Sequence, residues 1–338
     1  MNAIETRALR KVYPTPLSRR LTPNFGVAAA DRVLPPEHDA RGEVVALDGL
    51  DLDVEAGEFF GLLGPNGAGK TTTLGILTTR VRPTSGEARV CGADVTLDDA
   101  IVKQRIGVVP QRPNPDRGLD VLENLLFHAA YFGIPRSESL RRARKLLERL
   151  GIADKAEAMV DTLSGGQQQR LMIARALIHE PSVIFLDEPT VGLDPQARIA
   201  LWEVLRDLHA RGRTIVLTTH YMEEADRLCG RIAIVDKGRL LAVDTPDVLK
   251  ARAPGGTLLE VTLDGDGASV AARARDIAGL TRVQASNGTV RAYAERGGEL
   301  LPALIRAAEE SGRTVKNIHL APPSLETLFL SLTGRRLQ

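Results

Sequence analysis

The sequence predicts an α/β fold in which short buried strands alternate with helices. Two apolar, β-rich runs, 182–186 and 214–218, have the length and composition of buried parallel strands. A third run, Phe59–Leu63, leads into a glycine-rich turn and then into a helix that begins near Gly69. Alternation of such strands with helices is typical of a doubly wound parallel sheet.

The chain has 338 residues, enough for two domains. The composition changes at 251–256, which predicts a linker, so we place the first domain at 1–245 and a smaller one at 251–338. In the first domain, the proline-containing stretch 14–43 has little apolar periodicity, which predicts a long loop or partly disordered insertion. Apolar residues at helical spacing predict an inserted helical subdomain at about 112–180.

Two further regions are predicted from their local patterns. A hairpin-like segment is expected at 43–54, ahead of the Phe59–Leu63 strand. The smaller domain has an α+β pattern that closes with an amphipathic helix carrying Leu325 and Phe329. Its predicted strands are 257–263, 281–286, 289–294 and 315–320, and its other predicted helices are 267–278 and 298–312.

Charge and hydropathy exclude several classes of protein. The 44 Lys and Arg residues balance 43 Asp and Glu residues, giving a net charge of +1, so we expect no nucleic-acid partner. No apolar run approaches the roughly 18 residues of a membrane-spanning helix, so we expect that the chain does not cross a membrane by itself. Its two cysteines, Cys91 and Cys229, have neither disulfide-framework nor metal-site spacing.

The strongest motif is the glycine-rich stretch 64–71, which fits the pattern G-x-x-x-x-G-K-T. Glycines let the backbone curl so that several N–H groups face one anion, and the following helix N-terminus adds a favourable dipole. Lys70 supplies a mobile positive charge for β- and γ-phosphates, and the Thr71 hydroxyl is suited to ligate Mg²⁺. Strand, turn and helix in this order predict a nucleotide-phosphate site.

Two adjacent carboxylates, Asp187 and Glu188, end the strand that begins near residue 182. Ligands of α/β proteins bind at the carboxyl edge of the sheet, where these groups are expected to lie. Asp187 is predicted to hold Mg²⁺ directly or through water, and Glu188 to polarise an attacking water as general base. Successive residues of a strand point to opposite faces, which would allow the two acids different roles.

The string Leu-Ser-Gly-Gly-Gln at 163–167 opens a helix. Ser164 and Gln167 form the S-x-x-Q pattern of a capping box. Gly165 and Gly166 weaken the first helical turn, and we expect them to expose N–H groups to an anion.

These motifs, with three others in the same order, resemble the nucleotide-binding subunit of ABC (ATP-binding cassette) transporters over residues 1 to about 245. The stretch 64–72 resembles the Walker A loop, 163–167 the ABC signature, and Asp187 with Glu188 the Walker B pair. Gln111 resembles the Q-loop glutamine, Asp194 lies in a D-loop-like Gly-Leu-Asp-Pro, and His220 resembles the switch histidine. The implied fold is that of a P-loop NTPase: a RecA-like core, an inserted helical subdomain and an antiparallel β subdomain, followed here by a small α+β domain.

The resemblance implies ATP and Mg²⁺ as cofactors and assigns a role to each site residue. The implied catalytic residues are Glu188, His220 and Gln111, and the implied Mg²⁺ ligands are Thr71, Gln111 and Asp187. The implied nucleotide-binding residues are Tyr13, Asn66, Gly67, Ala68, Gly69, Lys70, Thr71, Thr72, Ser164, Gly165, Gly166, Gln167 and Asp194. Tyr13 is chosen as the aromatic residue that stacks on adenine, with Phe25 as the rival, because the stretch 14–43 separates Tyr13 from the next strand.

The same resemblance implies partners. In ABC proteins the signature of one subunit closes over the ATP held by Walker A of another, so a homodimer with two ATP molecules is expected. An integral membrane permease is expected to dock against the stretch 112–124 and to place the chain at the cytoplasmic face of the cell membrane.

The C-terminal stretch 323–335 resembles ATPase subunits of the drug-export branch, including the daunorubicin/doxorubicin-resistance type, and a regulatory or dimer-stabilising role is one interpretation of it. The expected function is therefore an ATPase that powers export of a small drug-like or lipid-like molecule. The alternatives are a soluble ABC ATPase with a non-transport role and a regulatory module without turnover.

Overall fold

A computed structural model describes residues 2–14, 43–253, 256–295 and 297–334. The expected insertion at 14–43, apart from its two end residues, lies outside these ranges, as does Phe25. The chain divides into two compact units, Met1–Val243 and Asp244–Gln338.

The described residues of the first unit form two sheets. Its strands are β1 Asn2–Tyr13, β2 Val44–Glu55, β3 Phe59–Leu63, β4 Ser85–Val90, β5 Ala93–Asp94, β6 Ile106–Val109, β7 Val183–Asp187, β8 Thr214–Thr219, β9 Arg231–Asp236 and β10 Arg239–Asp244. The central sheet has the order β10-β9-β3-β8-β7-β6, with parallel pairing of β9, β3, β8, β7 and β6. The second sheet, β2-β1-β4-β5, is antiparallel. This arrangement confirms the predicted α/β core with an antiparallel β subdomain.

Helices of the first unit connect these strands. They are α1 Lys70–Leu77, α2 Asp99–Arg105, α3 Val121–Tyr131, α4 Arg136–Arg149, α5 Gly165–Leu177, α6 Pro195–Ala210 and α7 Met222–Leu228. Helices α3, α4 and α5 all fall between β6 and β7 in the chain. The helical segment is therefore inserted between two strands that are neighbours in the parallel sheet. One buried core joins the two sheets and includes Ile4, Leu50, Phe60, Phe185 and Leu77 of α1.

The hairpin expected at 43–54 is wrong. The segment forms one 12-residue strand, β2, which pairs antiparallel with β1 along its length. Asp48-Gly49 has the composition of a hairpin turn. In the structure, Leu9 lies opposite Leu50 and Arg10 lies opposite Asp48, so the register shifts by one residue at Gly49, which adopts φ 78°. Gly49 is thus an extra residue in a bulged strand.

The second unit is a four-stranded antiparallel sheet with helices. Its elements are α8 Pro246–Arg252, β11 Thr257–Leu263, α9 Ala268–Ala274, β12 Thr281–Ser286, β13 Thr289–Ala294, α10 Gly297–Glu310, β14 Val315–Ala321 and α11 Leu325–Thr333. The strand order is β12-β13-β11-β14. These bounds confirm the predicted strands to within one residue, whereas the helix expected at 267–278 already ends at Ala274. Within the described ranges, no helix combines the length and hydropathy needed to cross a membrane.

Candidate functional site

The glycine-rich loop connects β3, an inner strand of the central sheet, to α1. Gly67 and Gly69 adopt left-handed backbone angles, φ 80° and 102°. A Cβ atom on Gly69 would also lie 2.7 Å from the carbonyl oxygen of Ala46, so both the conformation and the space require glycine there. The loop therefore turns directly into the N-terminus of α1, as the motif predicts.

Lys70 begins α1 and returns its side chain to this loop. Its Nζ donates to the carbonyl oxygens of Gly64 at 2.7 Å and Pro65 at 3.1 Å. It also forms an ion pair with Glu188, at 3.0 Å from Oε1, and only 4% of the Lys70 side chain is exposed. The loop and the end of β7 thus share one buried ammonium group.

Asp187 ends β7 beside the same helix. Its Oδ1 accepts from the Thr71 hydroxyl at 3.3 Å and from the Thr218 hydroxyl at 2.6 Å. The structure thereby brings together Thr71 and Asp187, two of the three residues expected to hold Mg²⁺. The third, Gln111, follows β6 and reaches Glu188 instead of Asp187.

Glu188 is the centre of the site. While Oε1 pairs with Lys70, Oε2 lies 3.1 Å from Nδ1 of His220 and accepts from Nε2 of Gln111 at 3.3 Å. The expected catalytic residues Glu188, His220 and Gln111 therefore meet, although they come from the ends of three different strands, β7, β8 and β6. Because an ionised carboxylate only accepts, Nδ1 of His220 must carry the hydrogen in this contact.

The electrostatics of Glu188 follow from these contacts. Burial raises its pKa, but the hydrogen bond from His220 and the charge of Lys70 outweigh burial and lower the pKa to about 2. Glu188 is thus ionised at neutral pH and is a weak base as long as both partners hold it.

The expectation that strand alternation separates Asp187 from Glu188 is wrong. The strand ends at Asp187, and Glu188 adopts a left-handed backbone conformation with φ 47°. The two carboxylates acquire different partners because the chain turns between them, not because they alternate along a strand.

Thr218 is a site residue that the sequence reasoning missed. Its hydroxyl donates to Asp187 and accepts from the Glu188 backbone N–H at 3.0 Å, so it fixes both acids. It lies at the end of β8, two residues before His220, and is fully buried. Its position beside β7 follows from the sheet order. The signal that the sequence offered was a threonine at the end of an apolar strand, just ahead of a polar residue.

The signature segment forms the predicted capping box at the start of α5. The Gln167 N–H donates to Ser164 Oγ at 3.3 Å, and the Ser164 N–H donates to Gln167 Oε1 at 2.9 Å. The glycines also have a packing role that was not expected. A Cβ on Gly166 would lie 3.2 Å from Cβ of Ala197, and one on Gly165 would contact Leu193 at 3.6 Å. The start of α5 therefore packs closely on the start of α6.

Asp194 is the N-cap of α6, and its Oδ1 accepts from the Ala197 N–H at 2.8 Å. Asn66 is exposed on the loop, Ala68 is buried in it, and Thr72 is half-buried in the first turn of α1. The nucleotide contacts expected of these residues stay predictions.

Tyr13 ends β1 opposite Val44 and is half-buried. Nζ of Lys11 lies 4.9 Å from the centroid of the Tyr13 ring. The rival, Phe25, lies outside the described residues, and adenine stacking on Tyr13 stays a prediction.

Metal ligands in this site are few. In the part of the chain that the structure describes, no group of three or more His, Cys, Asp and Glu side chains is placed to hold a metal ion. The oxygen donors that do converge, the Asp187 carboxylate and the Thr71 hydroxyl, suit a Mg²⁺ ion that takes its remaining ligands from phosphates and water.

Comparison with known proteins identifies the family of this chain. Residues 47–191 match the family model described as ABC transporter. The chain is 42% identical to the Nod factor export ATP-binding protein I of Paraburkholderia xenovorans over 298 residues, which cover 88% of this chain and 95% of that protein. It is 43% identical to the protein of the same name from Ralstonia nicotianae, with coverage of 88% and 92%.

Solved structures agree on the fold. The dimeric structure of MJ0796, a bacterial ABC transporter cassette, matches 72% of this chain and 98% of its own with TM-score 0.60 and 28% identity. The structure of cbiO1 from Clostridium perfringens, part of the ABC transporter complex cbiONQ, matches 74% and 91% with TM-score 0.61; its 24% identity supports the fold alone. The chain therefore belongs to the ABC transporter family, as an ATP-binding subunit with ATPase activity that drives transport.

Proposed function

We propose that this subunit powers export of a small drug-like or lipid-like molecule through a separate membrane permease, to which it binds at the cytoplasmic face. The contacts of Glu188 with Lys70, His220 and Gln111 carry the proposal, because they assemble a general base beside a phosphate loop. Export is supported by the relatives, which are Nod factor export proteins matched over most of this chain.

The Lys70–Glu188 pair connects nucleotide binding to the strength of the base. Lys70 is one of two groups that keep the Glu188 pKa low. A γ-phosphate that engages Lys70 weakens that pairing, so the proton affinity of Glu188 rises when a water molecule has to be activated. His220, on the other carboxylate oxygen, keeps Glu188 oriented meanwhile.

Thr71, Asp187 and Gln111 are the residues that would hold Mg²⁺. Their hydroxyl, carboxylate and amide oxygens fit a hard cation. When bound, Mg²⁺ would neutralise charge on the β- and γ-phosphates. Thr218 keeps the Asp187 carboxylate in place for that role.

A homodimer is the proposed working unit. Ser164 caps α5, and Lys70 lies on a different helix, α1, so the chain carries two separate anion-binding helix starts. We propose that Ser164, Gly165, Gly166, Gln167 and Asp194 contact the ATP that a partner subunit holds. The dimeric form of the similar cassette MJ0796 supports this arrangement.

Helix α3, which overlaps the expected docking stretch 112–124, is the surface that we propose for the permease. Phe127 and Tyr131, one helical turn apart, are 70% and 78% exposed. The segment before α3 is held rigidly, since Nδ2 of Asn124 donates to the carbonyl oxygens of Asp116, Leu119 and Asp120. Two exposed aromatic side chains on a fixed helix suit an apolar element of a membrane partner.

The catalytic part of the proposal is tested with Glu188→Gln. This variant should bind ATP, lose turnover and elute as a dimer in size-exclusion chromatography with saturating ATP, since hydrolysis no longer releases the partner. Lys70→Ala is the matched control and should stay monomeric, because it loses the phosphate contact. A monomeric Glu188→Gln with bound ATP would contradict the proposed dimer.

The transport part is tested by affinity purification from solubilised membranes. The wild type should recover a multi-helix membrane protein, and Phe127→Ser/Tyr131→Ser should lose it while keeping ATPase activity. Val248→Ser, at another exposed apolar residue, is the control and should retain the partner. Recovery of ribosomes or DNA instead of a permease would support the alternative, a soluble ABC ATPase with a non-transport role.

A further inference from the structure

A buried carboxylate outside the described site lies close to it. Glu224 is in the first turn of α7, which follows the His220 turn, and its side chain is 0% exposed. Its Oε1 accepts from Nε1 of Trp202 in α6 at 3.1 Å. An acidic side chain is rarely buried this completely unless it is paired or hydrogen-bonded.

Residues from three segments surround this carboxylate. Burial raises the Glu224 pKa, while Thr219 of β8, Trp202 and Thr190 lower it, as does the charge of Arg198. Thr190 lies two residues after Glu188 and is fully buried. Among the described residues, neither Oε2 of Glu224 nor Oγ1 of Thr190 has a partner in hydrogen-bonding geometry, so the Trp202 N–H is the group that holds this carboxylate by a hydrogen bond.

A second contact joins α6 to the residue that precedes α7. The Arg198 guanidinium of α6 lies over the ring of Tyr221, 4.6 Å from its centroid. Tyr221 in turn packs against the ring of His220, with 4.1 Å between the centroids. Helix α6 thus contacts the His220 turn at Arg198 and, one turn later, contacts α7 at Trp202.

The first turn of α6 also contacts the signature segment. Asp194 caps α6, and Ala197 in its first turn packs against Gly166 of α5. A continuous series of contacts therefore leads from Gly166 through α6 to Tyr221, His220 and Glu188. In the proposed dimer, Gly166 faces the partner's ATP and Glu188 faces the chain's own.

We propose that Glu224 is a positioning residue that holds α6 to the start of α7, directly after the His220 turn, so that the signature segment and the chain's own hydrolytic site move together. The proposal rests on the proposed function. It requires only groups present in the chain, since the Trp202 N–H and the Glu224 carboxylate form the joining contact.

Three variants test this contact. Trp202→Phe removes the N–H donor and keeps an aromatic ring, Glu224→Ala removes the acceptor, and Glu224→Gln keeps an acceptor oxygen. We expect the first two to lower kcat about tenfold, the usual cost of losing a residue that orients a catalytic group, with KM for ATP within about twofold. Glu224→Gln should keep at least half of kcat.

Trp202 is the single tryptophan of the chain, so its fluorescence reports this contact directly. Its emission should shift to the red in Glu224→Ala and stay unchanged in Glu224→Gln. Arg227→Gln is the matched control, because Arg227 lies over the Trp202 ring, 5.5 Å from its centroid, but takes no part in the hydrogen bond between Trp202 and Glu224. It should have wild-type kcat.

The outcomes separate this proposal from a purely structural role. A folded Trp202→Phe with kcat within twofold of wild type would overturn it, and so would a Glu224→Gln as slow as Glu224→Ala. If Glu224→Ala does not fold, Trp202→Phe decides the matter. A wild type without ATPase activity would instead refute the proposed function, and the role of Glu224 with it.

Discussion

Replacing Thr218 by valine removes one hydroxyl and preserves the shape of the side chain. That hydroxyl donates to Oδ1 of Asp187 at 2.6 Å and accepts from the Glu188 N–H at 3.0 Å. A hydrogen bond to a charged group contributes about 1.5–3 kcal/mol to stability. The Glu188 N–H keeps the Thr218 carbonyl oxygen at 3.1 Å, so no donor is left unpaired. We expect Thr218→Val to lower the free energy of unfolding by about 2 kcal/mol.

The substitution should also slow ATP hydrolysis. Among the described residues, the Asp187 carboxylate would keep only its 3.3 Å contact with the Thr71 hydroxyl, and it would no longer be fixed for Mg²⁺. Loss of a group that orients a metal ligand usually costs about 10- to 100-fold in activity or metal affinity. We therefore expect ATPase measurements to show kcat lowered by about that factor and a higher Mg²⁺ concentration for half-maximal rate.

Thr214→Val is the matched control on the same strand. Its hydroxyl is also buried and accepts from the Gly57 N–H at 2.8 Å, away from the acids. It should lose about 1 kcal/mol of stability and keep wild-type kinetics. If Thr218→Val, folded at the assay temperature, hydrolyses ATP at the wild-type rate with an unchanged Mg²⁺ requirement, Thr218 does not position Asp187.

Two other predictions concern pH and packing. The Glu188 pKa lies at about 2 in the folded chain against an ordinary value of 4.5. The ionised group therefore contributes about 3 kcal/mol to the free energy of unfolding above pH 4.5, and this contribution is lost as pH falls towards 2. The stability difference between wild type and Glu188→Gln, measured by urea unfolding, should shrink over that window; a constant difference would contradict the ion-paired geometry. Gly166→Ala places a Cβ 3.2 Å from that of Ala197, so it should lower kcat while circular dichroism stays unchanged. Gly298→Ala, where the space is open, should be neutral, and equal effects of the two changes would refute the packing role of Gly166.

Local patterns predicted the parts of the site that neighbouring residues determine. The phosphate loop was predictable because glycine positions fix its backbone, and the Ser164 capping box because both partners lie within one helical turn. The hairpin expected at 43–54 was wrong because only local pattern was considered. Asp-Gly predicts a turn locally, and only pairing with β1 makes it a bulge.

Contacts between distant segments could not be predicted in this way. Thr218 lies 31 residues from Asp187, and the two meet because β7 and β8 are neighbours in the sheet. No local pattern encodes that order. The ion pair of Lys70 with Glu188 and the burial of Glu224 also depend on the strand order. The pKa of Glu188 therefore depends on it too.

The backbone of Glu188 shows how such distant contacts determine a local conformation. A non-glycine residue at φ 47° costs on the order of 1–3 kcal/mol. Had β7 continued, the Glu188 side chain would point to the face opposite that of Asp187. The turn instead directs it to Lys70 and His220, while the Glu188 N–H is held by Thr218. Bonds from β8 and α1 thus offset the cost of this strained backbone conformation. The conformation places two adjacent carboxylates at one site with separate partners.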